Sequence, residues 1–138
     1  MSACIANAGD SKATKDWMAS HHVPQLNAQG AAIFLRNSSG VGYDASNSTG
    51  RYALTVLDNG LCTVFAEHAK DSDVIELLKA SQTGLVQQKD YPDPNKAGLH
   101  HYDFVLNRGG VDYNVVISTA AAPANIQAFL SIARRTAN

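Results

Sequence analysis

The feature that most constrains this chain is a hairpin written in its middle. Arg51-Tyr52-Ala53-Leu54-Thr55-Val56-Leu57 sets Tyr52, Leu54 and Val56 against Ala53 and Thr55, the period of two expected of a strand. Asp58-Asn59-Gly60 follows, supplying the positive φ angles of a tight hairpin turn, and residues 61–67 return as the second strand. A lone hairpin is not stable in water, so the rest of the chain must supply further strands or a helical layer to cover its apolar face.

Further strands are legible. Residues 100–107 and 111–119 flank Arg108-Gly109-Gly110, with Tyr102, Phe104 and Leu106 on one face of the first strand. The return strand, Val111-Asp112-Tyr113-Asn114-Val115-Val116-Ile117, alternates and then becomes wholly apolar. Residues 85–89 read as an edge strand, because Pro92 and Pro94 soon remove the donors that an interior strand needs.

Helices are punctuated around these strands. Asp10 or Ser11 caps a first helix with Ala13, Trp17 and Met18 on one face, ended by Val23-Pro24, and Asn27 caps a second ending near Leu35. Asp73 with Glu76 forms a capping box ahead of Val74, Leu77 and Leu78, and Gly84 suits the left-handed position after that helix. Pro123 opens a final helix in which Ile126, Phe129, Leu130 and Ala133 recur at helical spacing, with Arg134-Arg135 complementing its C-terminal dipole. Residues 37–50, rich in Ser, Asn and Gly, read as one long loop of the kind that often carries function.

The expected fold is a single α+β domain over residues 1–138, with about five antiparallel strands and helices mainly on one face. That order of elements is similar to profilin-like and PAS-like domains, a likeness of topology that favours a binding module without assigning any residue a role.

Eleven basic and twelve acidic residues give a formal charge of −1, which leaves no global field to gather nucleic acid or an anionic membrane. With 45% hydrophobic and 17% charged residues the composition is globular. No apolar run approaches the roughly 20 residues of a transmembrane helix. The first residues lack the basic and apolar regions of a secretory signal, which leaves three compartments open. The chain is cytoplasmic if Met1 is its native start, exported if a leader preceded it, or lipid-anchored if Cys4 is acylated.

Cys4 and Cys62 are the only cysteines, and their spacing fits no zinc or redox motif. They are either two buried thiols or a disulfide pinning the N-terminal arm to the first hairpin, the latter worth roughly 4 kcal/mol in the chain-entropy picture. His21-His22 and His100-His101 do not chelate, since adjacent residues of a strand point to opposite faces and no pair stands at i and i+4. No metal or cofactor is expected.

No Gly-x-Ser-x-Gly elbow occurs, a Cys within a strand is usually structural, and Gly40-Val41-Gly42 precedes no Gly-Lys-Ser/Thr. Carboxylates such as Asp44, Glu67, Asp103 and Asp112 read as solvated strand charges rather than a glycosidase pair. No catalytic residue is assigned. Tyr43-Asp44 and Arg51-Tyr52 instead bring aromatic and charged groups to the loop and the hairpin, a mixture enriched in binding hot spots. The bland alternative makes Tyr52 core and pairs Arg51 with Asp44.

Val41-Gly42-Tyr43-Asp44-Ala45-Ser46, Gly50-Arg51-Tyr52-Ala53-Leu54 and Asp58-Asn59-Gly60-Leu61-Cys62-Thr63-Val64-Phe65-Ala66 resemble a family of small, largely uncharacterised exported proteins of proteobacteria, some of them named as lipoproteins. Ala3-Cys4-Ile5-Ala6-Asn7 and Val115-Val116-Ile117-Ser118-Thr119 resemble it too. The resemblance implies export and a Cys4–Cys62 pair, and it implies no activity. The function expected is a non-enzymatic envelope protein that binds a protein or peptide partner through the 37–50 loop and first hairpin, at Tyr43, Asp44, Arg51 and Tyr52. An immunity protein against a secreted periplasmic toxin is a second reading, and a small-molecule sensor or hydrolase with an unrecognised site is a third.

Overall fold

A computed structural model describes residues 1–121 and 124–136. The chain is α+β, but its sheet has seven strands where the sequence suggested five. Helices α1 (Ser2–Ala6), α2 (Ser11–Ser20) and α3 (Ala28–Leu35) precede β1 (Gly40–Asp44), β2 (Tyr52–Leu57) and β3 (Cys62–Ala66). Helix α4 (Asp71–Ser81) then leads to β4 (Leu85–Pro92), β5 (Leu99–Arg108), β6 (Val111–Ala120) and β7 (Ala128–Arg134). The strand order is β1-β2-β3-β7-β6-β5-β4, and every pairing is antiparallel. Two meanders, β1 to β3 and β4 to β7, therefore join edge to edge where β3 meets β7. Among the described residues no helix is long and apolar enough to cross a membrane.

Both expected hairpins are present. Val56 pairs with Cys62 across the Asp58-Asn59-Gly60 turn, and Arg108 pairs with Val111. Gly60 has φ +89°, and a Cβ there would stand 2.6 Å from the Gly9 carbonyl oxygen, so the turn requires glycine for conformation and for space. Asp10 caps α2 by accepting the Ala13 N–H at 2.8 Å, and Asn27 caps α3 by accepting the Gly30 N–H at 2.8 Å. Helix α2 ends before Val23-Pro24 on a Schellman motif, with His22 at φ +54° and the Val23 N–H bonded to the Met18 carbonyl.

Four expectations are corrected. Residues 40–44 of the supposed loop form an edge strand disguised by two glycines, which are needed because a Cβ on Gly40 would meet the Val56 carbonyl at 2.5 Å and one on Gly42 would meet Ala31 of α3 at 3.3 Å. The expected capping box is absent: Lys70 is the N-cap of α4 and Asp73 lies inside its first turn. The expected final helix is β7, whose Ala128, Leu130 and Ile132 are buried at a spacing of two. Its apolar run satisfies both periods, and the unpaired edges of β3 and β6 decide for the strand. Pro123, offered as the start of that helix, lies outside the described residues. The profilin-like and PAS-like order, with five strands, thus gives way to seven strands closed by a strand. Gly84 does take positive φ, +79°, and β4 does lie at the sheet edge, with a bulge between Gln87 and Lys89.

The core lies on one face of the sheet, where the register aligns Val56, Cys62, Ile132, Val115 and Phe104 across five strands. Helix α1 buries Ala3, Cys4 and Ile5 against this face, α2 adds Met18 and α4 adds Leu78. The opposite face carries α3, whose Phe34 ring meets Phe65 at 5.0 Å. Cys4 and Cys62 are joined by a disulfide and fully buried, and the Arg108 guanidinium donates to the Ile5 carbonyl, so α1 is tied at two points.

Replacing both cysteines by alanine releases a closure of 58 residues and is expected to cost about 4 kcal/mol in urea unfolding. Gly60→Ala forces both the strained φ and the Gly9 contact and is expected to cost roughly 1–3 kcal/mol in the same measurement.

Candidate functional site

The connector from β1 to β2 is an ordered turn. The Asp44 carboxylate accepts the Ser46 N–H at 3.0 Å, and the Asn47 side-chain oxygen accepts both the Thr49 N–H at 2.8 Å and the Thr49 hydroxyl at 2.6 Å. Asn47 and Gly50 exchange backbone hydrogen bonds, and the Tyr52 N–H donates to Ser46 Oγ. Gly50 lies against the Tyr52 ring, where a Cβ would sit 3.0 Å from the phenol oxygen. Ser, Asn and Gly are abundant here because their short side chains replace the backbone partners that a strand would have supplied.

This turn overhangs one end of an apolar cleft of about 460 Å³. The floor comes from Val64 and Ala66 of β3 and Ala128 and Leu130 of β7, and Tyr52 and Val74 stand at the sides. Leu77 borders it with 59% of its surface exposed, although Leu78 beside it is fully buried. The volume and apolar lining are in the range of sites that take a small molecule or an anchoring side chain. The rest of that sheet face is filled by α1, α2 and α4, so the cleft is a groove at one end and not an interior cavity.

Helix α4 forms one wall, and its position is fixed by contacts with β5 and β4. The Tyr102 hydroxyl donates to Asp71 at 3.0 Å, and Asp71 also accepts the Ser72 N–H at 2.8 Å. The Lys79 ammonium lies 5.9 Å from the centre of the Phe104 ring and donates to Gln87. Ahead of the helix, Gln127 accepts the Ala69 N–H at 3.4 Å. The Ser72 N–H, followed by the Tyr102 hydroxyl, holds the Asp71 carboxyl below the usual carboxylate range. Desolvation, followed by the hydrogen bond to Asp71, pushes the Tyr102 phenol up to about 12.

Of the four residues singled out in the sequence, Asp44, Arg51 and Tyr52 border one hollow and Tyr43 stands apart from it. Tyr43 is 3% exposed and belongs to the core, where burial raises its phenol. Tyr52 faces the apolar cleft and reaches its rim. Asp44, Arg51 and Tyr52 line a second hollow of about 360 Å³ with Phe65 and Glu67, so Tyr52 borders both. Arg51 pairs with Glu67 at 3.5 Å, whereas Asp44 is lowered first by its hydrogen bond from Ser46 and only lastly by Arg51. The walls from α4 and β7 were not read as a site. One signal was available: Val74, Leu77 and Leu78 give this helix an apolar position more than its core contact absorbs.

A Ser-His-Asp grouping lies elsewhere on the sheet. His101 contacts Ser118 Oγ through Nδ1 at 2.7 Å and Asp93 through Nε2 at 2.8 Å. Ser118 is 1% exposed, so no substrate carbonyl can reach its oxygen, and the network ties the turn after β4 to β6. Among the described residues no three His, Cys, Asp or Glu side chains are placed to hold a metal ion.

No protein family, curated protein or solved structure matches the chain.

Tyr102→Phe is expected to lower stability by about 1 kcal/mol at neutral pH. Because the Asp71 pKa is depressed, its contribution is present above the usual carboxylate range and fades as pH falls through the lowered value, so the two proteins converge in acid. Because the Tyr102 pKa is raised, its contribution is complete below about pH 10 and is lost only as pH climbs through about 12. Urea midpoints across pH 3 to 12 measure both limbs.

Proposed function

We propose that this chain is a non-enzymatic binding protein of the bacterial envelope, and that it recognises a protein or peptide partner by seating an apolar side chain in the cleft between the 45–50 turn and α4. The observation that carries the reading is that cleft, floored by the junction of β3 and β7 and bordered by Leu77, which is left 59% exposed. An apolar groove with a hydrogen-bonded turn at its rim offers an anchor pocket together with polar groups for register. Tyr52 is the one residue of the expected set that faces this groove, and Asp44 and Arg51 extend the surface on the other side of the turn.

Placement in the envelope rests on two supports. The disulfide is stable in an oxidising compartment and uncommon in the cytosol. The resemblance to exported proteobacterial proteins points the same way. Lipid anchoring through Cys4 does not fit, because that sulfur is bonded to Cys62.

A photo-reactive residue at position 77 is expected to cross-link a discrete partner in cells, while one at Val86, on the other face of the sheet, captures none. Leu77→Asp is expected to leave the urea midpoint unchanged and to weaken that complex about tenfold or more, since burying a leucine contributes roughly 1.5–3 kcal/mol. Identical cross-linking from positions 77 and 86 would sink the assignment.

A further inference from the structure

The second hollow lies on the sheet face turned away from the core, and the period of two explains how it is built. Asp44, Ala53, Phe65 and Phe129 stand in one row across β1, β2, β3 and β7. Arg51 and Glu67, two residues from Ala53 and Phe65, fall on the same side. Ala53 is the small member of that row, so the Asp44 carboxylate and the Phe65 ring flank a depression two strand spacings wide, roughly 10 Å between backbones. Phe34 of α3 meets Phe65 at 5.0 Å with the ring planes at 50°, and Leu26 and Ile126 extend this apolar wall. The polar side holds donors and acceptors together. Arg51 meets Glu67 through Nε at 3.5 Å with its side chain 80% exposed, and among the described residues its terminal NH2 groups have no partner. The Asp44 carboxylate accepts the Ser46 N–H and has capacity for further donors.

We infer that this hollow binds one ring of a neutral saccharide. The C–H face of the ring lies on Phe34 and Phe65, and its hydroxyls accept from Arg51 and donate to Asp44 and Glu67. The charges select this class: Asp44, Arg51 and Glu67 are the charged residues that line the hollow, so a phosphate or carboxylate would meet two carboxylates and an ammonium would meet the guanidinium. A pyranose carries no net charge, offers a donor and acceptors at each hydroxyl, and presents an apolar face that aromatic rings cover. The volume of about 360 Å³ is at the small end of ligand sites, as one ring requires. Tyr52 is the one lining residue shared with the apolar cleft, so the inference stands apart from the peptide reading.

The test titrates the full chain, isotope-labelled, with the methyl glycosides of glucose, galactose, mannose and N-acetylglucosamine, and with butylamine and inorganic phosphate as charged probes. At least one glycoside is expected to shift the backbone amides of Ala53, Phe65 and Glu67 at millimolar concentrations, while Leu77 and Val86 stay in place. Arg51→Ala, an exposed change that should preserve the spectrum of the free protein, is expected to weaken that glycoside tenfold or more. Phe34→Leu, which keeps an apolar side chain but removes the ring, should weaken it as well. No shift with any glycoside at tens of millimolar would overturn the inference, and so would an unchanged affinity in Arg51→Ala. Butylamine or phosphate binding as tightly as the best glycoside would make this a site for an ion and overturn the saccharide assignment. Glycoside shifts centred on Val64 and Leu77 would move the sugar to the apolar cleft, which overturns the placement here and the peptide reading with it.

Discussion

The pairing of β3 with β7 holds this architecture together. Cys62, Val64 and Ala66 stand opposite Ile132, Leu130 and Ala128, and without that ladder the two meanders would be separate sheets with bare edges. The junction is also the longest-range pairing in the sheet, since it joins a strand near the middle of the chain to one near its end. Closing it late, after each meander forms locally, agrees with the entropic cost of long loops. The disulfide acts on the same strand. By fastening Cys4 to Cys62 it brings α1 under the sheet beside the junction, where Arg108 holds the Ile5 carbonyl from the other meander.

The cleft follows from this construction. A chain leaving β3 must reach β4 at the far edge of the sheet, and α4 makes that crossing over the core face. The helix covers the sheet where Leu78 is buried and Tyr102 and Phe104 reach up from β5. Towards β2 and β3 the 45–50 turn and Met1 border the space that the helix leaves, so Val64, Ala66, Ala128 and Leu130 floor a groove. The cleft is thus a gap in the helical layer over the weld between two meanders, and its shape depends on the Tyr102–Asp71 and Lys79–Phe104 contacts that set the helix in place.

Much of this was legible in the sequence where a local rule had one solution. Asp58-Asn59-Gly60 and Arg108-Gly109-Gly110 announce hairpins, and Asp10 and Asn27 announce caps, because those groups satisfy a backbone requirement within a few residues. What could not be read is what long-range partners decide. Residues 128–134 satisfy the helical and the strand period alike, and only the waiting edges of β3 and β6 resolve them. Gly40 and Gly42 look like loop residues because their reason for being glycine, the closeness of the Val56 carbonyl and Ala31, lies on other elements. The site follows the same logic: Tyr52 was readable as an aromatic residue opening a hairpin, while Val74 and Leu77 take on meaning only once α4 is laid across the sheet.

Tyr43 and Tyr52 show how two residues of one type come to lie in different surroundings. Both are aromatic, both adjoin the polar stretch, and the register puts both on the core face of the sheet. Their exposure differs because the layer above them differs. Tyr43 pairs with Leu54 on the half of the sheet that α2 covers, so its phenol is desolvated and its ring contributes to packing. Tyr52 pairs with Ala66 at the end of β2 that no helix covers, and there the turn and its hydrogen bonds leave the ring half-buried at the rim. Substituting Tyr43 tests the core and substituting Tyr52 tests the cleft, and binding data on the first would report stability before they reported recognition.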